Sequence, residues 1–239
     1  MQIKTRCIVL RTVKYSDDRI LVDLLTKEEG RLTVGCRIST AKSAKVRRQH
    51  FQPTTILDAV IERSPRTPVC NMRETHVAMP YSTVNADAAK LSIAFFVAEF
   101  LTFATRDQRS DATLYDFVER CMVWLDTSNR GIANFHLMLM MRISMFLGFQ
   151  PDMRTYRKGT LFDLREGVFT SVKPTHNDFL MPDEAEKMQV MMRMTASNLH
   201  LFLLSRNERN RIIDIILMYY RLHIPQFGEL KTLDVLRFL

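Results

Sequence analysis

The side chains best suited to chemistry in this sequence are the cations of one basic segment, residues 37–48, which runs RISTAKSAKVRR. The segment contains no acidic residue, and the small residues between its cations are typical of a loop. A lysine or arginine that neutralises a phosphate releases counterions, which gives affinity for a polyanion without selecting a sequence. The segment is therefore a candidate phosphate-binding site, and its cations are Arg37, Lys42, Lys45, Arg47 and Arg48.

Side chains close to this segment in the sequence extend the candidate site. Aromatic rings can stack on unpaired bases, and Tyr15, His50 and Phe51 are candidates for that role. A solvated basic loop without a partner explains the same pattern and stays open as an alternative. Three further cations belong to the candidate site, namely Arg11, Lys14 and Arg19.

The charge of the chain is distributed unevenly. The 239 residues carry 34 Lys/Arg and 26 Asp/Glu, a net charge of +8. Residues 1–80 hold 15 of these cations and 8 of the acids, a net of +7, whereas residues 81–239 hold 19 and 18, a net of +1. Such an asymmetry favours a polyanionic partner for the first third of the chain.

Motifs for catalysis and metal binding are absent from the sequence. Gly30-x4-Gly35 is followed by Cys36-Arg37 where a phosphate loop requires Lys-Ser/Thr, and there is no GxSxG or HExxH. The acids Asp17, Asp18 and Asp23 are candidates for a magnesium-dependent nuclease site, but turn formation explains the first two more simply. The four cysteines form no CxxC pair and the six histidines are scattered. The sequence therefore predicts a protein that is not an enzyme and has no structural metal or cofactor.

The elements that must position the basic segment are strands. Four short runs rich in β-branched residues occupy the first sixty-odd residues, with turn signals at residues 15–18 and 28–30. Several strands in so short a span favour a small OB-like β-barrel. Pro65, Pro68 and Pro80 then interrupt regular structure. We expect an α+β protein, with a barrel domain at residues 1–80 and a mainly helical domain at residues 81–239.

The second part of the sequence predicts helices and one hairpin. Apolar periodicity predicts helices over residues 88–105, from an N-cap at Asp111 to about 126, and over 135–147. A turn at residues 165–167 predicts a hairpin within residues 160–173. Asp183 is expected to cap a further helix, and Ser205 begins a capping box for a helix that ends before Pro225. No apolar run is long enough for a membrane span, and the scattered cysteines favour a cytoplasmic protein.

Several segments, taken in order, resemble the RecO family of recombination mediators. The opening Cys7-Ile8-Val9-Leu10-Arg11 and YSDDRILVDLLTKEEGRL resemble the first two strands and turns of that family. The basic segment followed by FQPTTILD resembles the family's basic loop and next strand. RISMFLGFQPD, FDLREGVF, SVKPTHNDFL and LSRNERNRIIDIILMYYRLHIPQFGELKTLDVL resemble its helical part and tail. The resemblance covers nearly the whole chain and depends on the order and spacing of these segments.

The resemblance implies an OB-fold domain followed by a helical domain, with binding to single- and double-stranded DNA and annealing of complementary strands. It also implies RecR and the C-terminal tail of the single-stranded-DNA-binding protein as partners, with RecA loaded indirectly and without ATP hydrolysis. A cytoplasmic location at the nucleoid would follow. Basic residues of the helical part are candidates to meet the acidic tail, namely Arg142, Arg154, Arg157 and Lys158, and a solvated surface without a partner stays open as an alternative.

One departure from the family concerns zinc. Many members carry a four-cysteine zinc site between the Leu-Gly helix and the later Phe-Asp segment, but FQPDMRTYRKGTLFD in this sequence contains no cysteine. The hairpin is therefore expected to be held by packing. Two other functions remain open on the residues alone: a basic OB-fold adaptor or regulator that binds nucleic acid or protein without annealing, and a DNA-processing enzyme that uses the three aspartates.

Overall fold

The computed structural model describes residues 1–38, 45–63, 67, 69–106 and 108–238 of the chain. It confirms the expected α+β class, with a strand-built region followed by helices and a small sheet. The chain divides into two compact units: unit 1 comprises Met1–Thr127 and Leu230–Leu236, and unit 2 comprises Ser128–Glu229 and Arg237–Leu239. The predicted domain boundary between residues 80 and 81 lies inside unit 1 and stays a prediction.

Unit 1 begins with a closed barrel of five strands. Neighbouring strands pair in the order β1-β2-β3-β5-β4, and the barrel closes between β4 and β1. All pairs are antiparallel except β3 with β5, which is parallel over a short stretch at Val34 and Gly35. The expected OB-like barrel is therefore confirmed. The strands are β1 (Gln2–Lys14), β2 (Arg19–Thr26), β3 (Gly30–Arg37), β4 (Ile56–Glu62) and β5 (Cys70–Met79).

The barrel core follows from the alternation of apolar residues along the strands. Side chains on alternate positions point inward, so Ile20, Val22 and Leu24 of β2 are all buried in the core cluster. A 3-10 turn, Arg48–Phe51, follows the basic segment and contributes Phe51 to the same core. The sequence interpretation of Phe51 as a stacking surface is therefore wrong, because its ring is only 3% exposed.

Two helices of unit 1 follow the barrel, α1 (Ala88–Ala104) and α2 (Ala112–Thr127). Asp87 caps α1 by accepting hydrogen bonds from the amides of Ala89 and Lys90, and α1 packs against β1. The predicted N-cap of α2 is confirmed, since Asp111 Oδ1 accepts from the amides of Thr113 and Leu114 at 2.8 and 3.1 Å.

A buried polar cluster joins α1, α2 and the segment that precedes them. The carboxylate of Asp126 accepts from three consecutive backbone amides, those of Ser82, Thr83 and Val84, at 2.8–2.9 Å. The buried Lys90 ammonium donates to the Thr83 hydroxyl at 2.7 Å and to the Asp126 carbonyl at 2.9 Å. These bonds satisfy groups that would otherwise be costly to bury.

Unit 2 contains three longer helices and a three-stranded sheet. The helices are α3 (Phe135–Phe146), α4 (Pro182–Met192) and α5 (Arg206–His223). The sheet strands are β6 (Leu161–Asp163), β7 (Val168–Thr170) and β8 (Phe179–Leu180), in the order β7-β6-β8. The predicted hairpin is confirmed as β6 and β7, and β8 is an addition that the sequence did not predict.

The helix starts of unit 2 test two sequence predictions. At α5 the capping box is present in full, because Ser205 accepts from the Glu208 amide and the Glu208 carboxylate accepts from the Ser205 amide. The prediction that Asp183 caps α4 is wrong. Helix α4 begins at Pro182 with Met181 in the N-cap position, so Asp183 lies in the first turn of the helix. Proline suits the first helical position because its missing amide hydrogen has no partner there.

Aromatic packing surrounds the small sheet. Phe162 and Phe169 pack at 4.8 Å, and Phe149 stacks on His223 at 4.9 Å between ring centroids. The Tyr219 hydroxyl donates to the Phe149 carbonyl at 2.6 Å. All four cysteines lie in unit 1 and are buried, so the residues of this sheet do not fit a four-cysteine zinc site.

Residues 230–236 return to unit 1 after the main part of unit 2, Ser128–Glu229. A short helix there, α6 (Leu233–Leu236), packs against α1. The Glu99 carboxylate of α1 accepts from the amides of Lys231 and Thr232 at 3.0 and 2.8 Å. Unit 1 is thus completed by a segment more than a hundred residues distant from Glu99 in sequence.

Candidate nucleic-acid interface

The outer face of β1, β2 and β3 brings together four of the predicted site residues. Residues directly opposite in an antiparallel pair share a face. Arg11 pairs with Asp23 and Asp23 with Thr33, Val13 pairs with Leu21 and Leu21 with Gly35, and Arg19 pairs with Arg37. The Tyr15 amide donates to the Arg19 carbonyl at 3.0 Å, which places Tyr15 beside Arg19. We call this surface the β1–β3 face; it comprises Arg11, Val13, Tyr15, Arg19, Leu21, Asp23, Thr33, Gly35 and Arg37.

A β-bulge in β1 sets the orientation of Arg11. The register between β1 and β2 shifts between Val9 and Arg11, so Leu10 is the extra residue. Ile8 and Leu10 are buried, whereas Arg11 is exposed. Without the extra residue, alternation would turn Arg11 toward the barrel interior and Thr12 outward. The bulge therefore marks where β1 changes from a packed surface to an open one.

The centre of the β1–β3 face is apolar and its borders are cationic. Tyr15 is 71% exposed and Val13 is 40% exposed, with the partly exposed Leu21 between them and Gly35, which presents no side chain. Within the described part of the chain, no ion pair or hydrogen bond of the Arg11 or Arg19 side chain is recorded, and both side chains are exposed. An aromatic and aliphatic strip bordered by these two arginines can contact the bases of a nucleic acid while the arginines contact its phosphates.

Carboxylates of unit 1 hold Arg37 of this face and Arg31 of strand β3. Arg31 pairs with Asp23 at 3.2 Å, and the Thr33 hydroxyl donates to the same carboxylate at 2.6 Å. Arg37 Nε lies 3.1 Å from Asp18 Oδ2. The Ser16 hydroxyl, and then the Arg37 guanidinium, lower the pKa of Asp18, so this carboxyl is ionised at neutral pH. The three aspartates proposed for a nuclease site thus form turn and ion-pair contacts.

The described end of the basic segment lies beside β5. The Thr75 amide donates to the Lys45 carbonyl at 3.1 Å, and Lys45 forms an ion pair with Glu74. The hydrogen bond from Lys45 lowers the pKa of Glu74. His50 Nδ1 lies 2.8 Å from the Thr75 hydroxyl, and burial, followed by the charges of Arg47 and His76, lowers the pKa of His50. A shallow cleft of about 310 Å³ is lined by Lys45, Arg47, His50, Thr75, His76 and Val77.

The predicted site residues therefore fall into separate places. Arg11, Tyr15, Arg19 and Arg37 lie on the β1–β3 face. Lys14, at the end of β1, pairs with Asp17 at 2.9 Å. Lys45 lies beside β5, and Arg47 and Arg48 are exposed at the start of the 3-10 turn that precedes β4. Lys42 lies outside the described residues.

Val13, Leu21 and Gly35 were missed as site residues. The sequence feature that could have identified them is the two-residue period of the strands. Positions 11, 13 and 15 share one face, as do positions 19, 21 and 23. A search for cations alone does not register the uncharged members of such a face. The outer surface of β1, β4 and β5 differs in that its arginines are paired, Arg6 with Asp58 and Arg73 with Glu62.

Two searches of the described residues were negative. Within the ranges the structure describes, no group of three or more His, Cys, Asp or Glu side chains could hold a metal ion. In the same part of the chain, no helix is both long and apolar enough to cross a membrane.

The barrel order and its arginine-bordered face define an OB-type protein, and sequence comparisons place it more narrowly. A family model described as Recombination protein O N terminal matches residues 1–69, and one described as Recombination protein O C terminal matches residues 85–234. The chain belongs to the RecO family.

Curated relatives match over almost their full length. The DNA repair protein RecO of Phocaeicola vulgatus is 39% identical over 234 residues, which cover 98% of this chain and 97% of that protein. The protein of the same name from Porphyromonas gingivalis is 32% identical over 242 residues, covering 99% and 98%. That of Flavobacterium psychrophilum is 28% identical over 239 residues, again covering 99% and 98%.

Proposed function

We propose that this chain is a DNA-binding mediator of recombinational repair without catalytic activity of its own. It binds single- and double-stranded DNA, anneals complementary strands and assists the loading of RecA on DNA coated with single-stranded-DNA-binding protein. The observation that carries the proposal is the β1–β3 face, where exposed arginines border an apolar strip around Tyr15. The printed names of the relatives, DNA repair protein RecO, support the same process.

The position of this face within the barrel also supports the proposal. OB-folds bind oligonucleotides on the face that contains strands 2 and 3 and in the loop between strands 1 and 2. Here Leu21 and Gly35 belong to that face, and Tyr15 begins that loop. The arginines at the borders are suited to backbone phosphates and the strip between them to bases.

This chemistry suits annealing because it does not depend on base sequence. Phosphate contacts carry no base information, and stacking accepts every base because each has a π face. Two complementary strands would therefore bind the face equally well. Bases that stack on Tyr15, Val13 and Leu21 keep their pairing edges available to a second strand.

Protein partners belong to the proposal as well. RecR and the C-terminal tail of the single-stranded-DNA-binding protein are the proposed direct partners, with RecA affected indirectly. Of the candidate cations for the acidic tail, Arg142 donates to the carbonyls of Met192 and Met194 and Arg154 pairs with Asp152 at 2.8 Å. Lys158 is exposed and is the better candidate, whereas Arg157 is exposed but donates to the carbonyls of Arg154 and Tyr156.

Strand annealing in magnesium and in chelator tests the proposed function. Two complementary labelled oligonucleotides are mixed with the purified protein, with and without EDTA, and annealing and strand length are followed together. We expect faster annealing in both conditions and intact strands. Cleavage only with magnesium would indicate an enzyme instead. Binding without annealing would favour the adaptor function, and no binding at moderate salt would overturn the proposal.

A further inference from the structure

Asp18 forms hydrogen bonds with the chain where β3 continues into the basic segment. Its backbone carbonyl accepts from the Ile38 amide at 2.8 Å, and its Oδ2 accepts from Arg37 Nε at 3.1 Å. Its other carboxylate oxygen accepts from the Ser16 hydroxyl at 3.0 Å. A single residue of the turn between β1 and β2 thus contacts both the backbone and the first cation of the basic segment.

The Asp18–Arg37 pair lies on the surface, where an anionic ligand can compete for it. The side chains of Arg37 and Asp18 are 79% and 50% exposed. An ion pair this exposed is held weakly. A phosphate that approaches Arg37 must displace the Asp18 carboxylate or bind beside it, and in either case a negative charge of the protein stays close to the incoming one.

We propose that Asp18 competes with DNA phosphate for Arg37 and thereby lowers the affinity of the β1–β3 face for a bound DNA strand. This inference rests on the proposed function. In the resting protein Arg37 is bonded to Asp18, whereas Asp18 acts on Arg19 only at longer range and Arg11 forms no ion pair with a described residue. Asp18 therefore sets how readily the face releases a strand, which a protein that passes DNA to other proteins must do.

Replacing Asp18 with Asn tests the inference, because the amide keeps the shape and the Ile38 contact but loses the charge. We expect Asp18→Asn to bind a single-stranded oligonucleotide about two- to fivefold more tightly at low salt, as the loss of a weak exposed pair implies. The slope of log affinity against log salt should steepen by roughly 0.7, the contribution of one additional phosphate contact. Slower dissociation should account for most of the change.

Two further variants separate the inference from a general effect of charge. Glu62→Gln removes the same charge and frees Arg73, which lies on the outer surface of β1, β4 and β5; it should leave affinity within about 1.5-fold of the wild type, since exposed charges away from a site contribute little. Adding Arg37→Gln to Asp18→Asn should abolish the gain in affinity. Circular dichroism on each variant verifies that it is folded.

The outcomes distinguish this inference from the proposed function. If the wild type binds DNA but Asp18→Asn binds no more tightly, or if Glu62→Gln gives an equal gain, competition at Arg37 is refuted while DNA binding stands. A gain that persists after Arg37→Gln would also refute it. If the wild type does not bind DNA at moderate salt, the proposed function itself fails.

Discussion

At the scale of single residues, Tyr15 separates binding by stacking from binding by charge. Tyr15 is 71% exposed in the apolar strip of the β1–β3 face, next to Arg19. A large exposed aromatic ring contributes little to the stability of the fold. Its removal therefore reports on ligand contacts rather than on folding.

We expect Tyr15→Ala to weaken binding of single-stranded DNA by about 1–3 kcal/mol, the value of one stacked base. Duplex binding should change much less, since paired bases are already stacked on each other. Tyr15→Phe keeps the ring and should bind like the wild type. Fluorescence anisotropy with both forms of DNA measures these differences, and an equal loss for single strands and duplex would contradict stacking.

Asp126 is a residue on which a whole segment of unit 1 depends. Its carboxylate accepts from three consecutive amides, those of residues 82–84, of which the Val84 amide is buried. Asp126→Ala leaves these donors without partners and should lower the free energy of unfolding by at least about 1–3 kcal/mol. Asp116 of the same helix pairs with Lys27 at the surface. Asp116→Asn should change stability by less than about 1 kcal/mol in the same urea titrations.

The pH dependence of Asp126 follows from its hydrogen bonds. Burial alone raises the pKa of Asp126, but the amides of Ser82, Thr83 and Val84 together lower it below the ordinary value. The unfolded chain then binds more protons than the folded one as pH falls below about 4. The stabilisation is therefore present above that pH and is lost as pH falls through the lower, folded-state pKa.

At the scale of elements, helix α3 contains a buried histidine that should make unit 2 sensitive to acid. His136 is 3% exposed, and desolvation lowers its pKa to about 3. Between about pH 6.5 and pH 3 the His136 side chain is protonated in the unfolded chain but stays neutral in the folded chain. His136 therefore contributes stability above about pH 6.5, and this contribution is lost as pH falls toward 3.

Replacing His136 with Gln should remove this part of the acid dependence. The free energy of unfolding of the wild type should fall by up to about 1.4 kcal/mol per pH unit more steeply than that of His136→Gln between pH 6 and 4. His200 is exposed in the same unit, so His200→Gln should keep the wild-type slope. Denaturant unfolding at several pH values measures this, and parallel curves for the wild type and His136→Gln would refute the assignment.

The elements also show which parts of the structure could be predicted from the sequence. The barrel strands, the Asp111 cap and the Ser205 capping box follow from local patterns, because alternation and capping involve residues a few positions apart. The ion pair of Lys45 with Glu74 joins positions 29 residues apart and has no local signal. The bulge at Leu10 had no such signal either, although it decides that Arg11 faces outward.

At the scale of the whole molecule, the position of charge should matter more for DNA binding than its total. Arg11 and Arg19 lie on the β1–β3 face, whereas Arg6 and Arg73 are paired with acids on the outer surface of β1, β4 and β5. The double variants Arg11→Gln/Arg19→Gln and Arg6→Gln/Arg73→Gln remove the same charge from a chain of net +8. They differ in which surface loses it, and the second also leaves Asp58 and Glu62 without their arginine partners.

We expect the first double variant to lower the salt slope by roughly 1.4 on single strands, about 0.7 for each lost phosphate contact. The second should leave the slope nearly unchanged. Affinities measured between about 50 and 200 mM salt give both slopes. Equal slopes for the two variants would mean that DNA responds to net charge and that the β1–β3 face is not the binding surface.

The return of residues 230–236 to α1 has a consequence for the order in which the chain can fold during its synthesis. The barrel strands and α1 leave the ribosome early. The backbone amides that donate to Glu99 belong to Lys231 and Thr232, which are made after residues 128–229 of unit 2. Domains generally fold from the N-terminus as they emerge. Unit 1 can therefore be completed only when nearly the entire chain has been translated. The surface of α1 that contacts residues 230–236 stays uncovered until then.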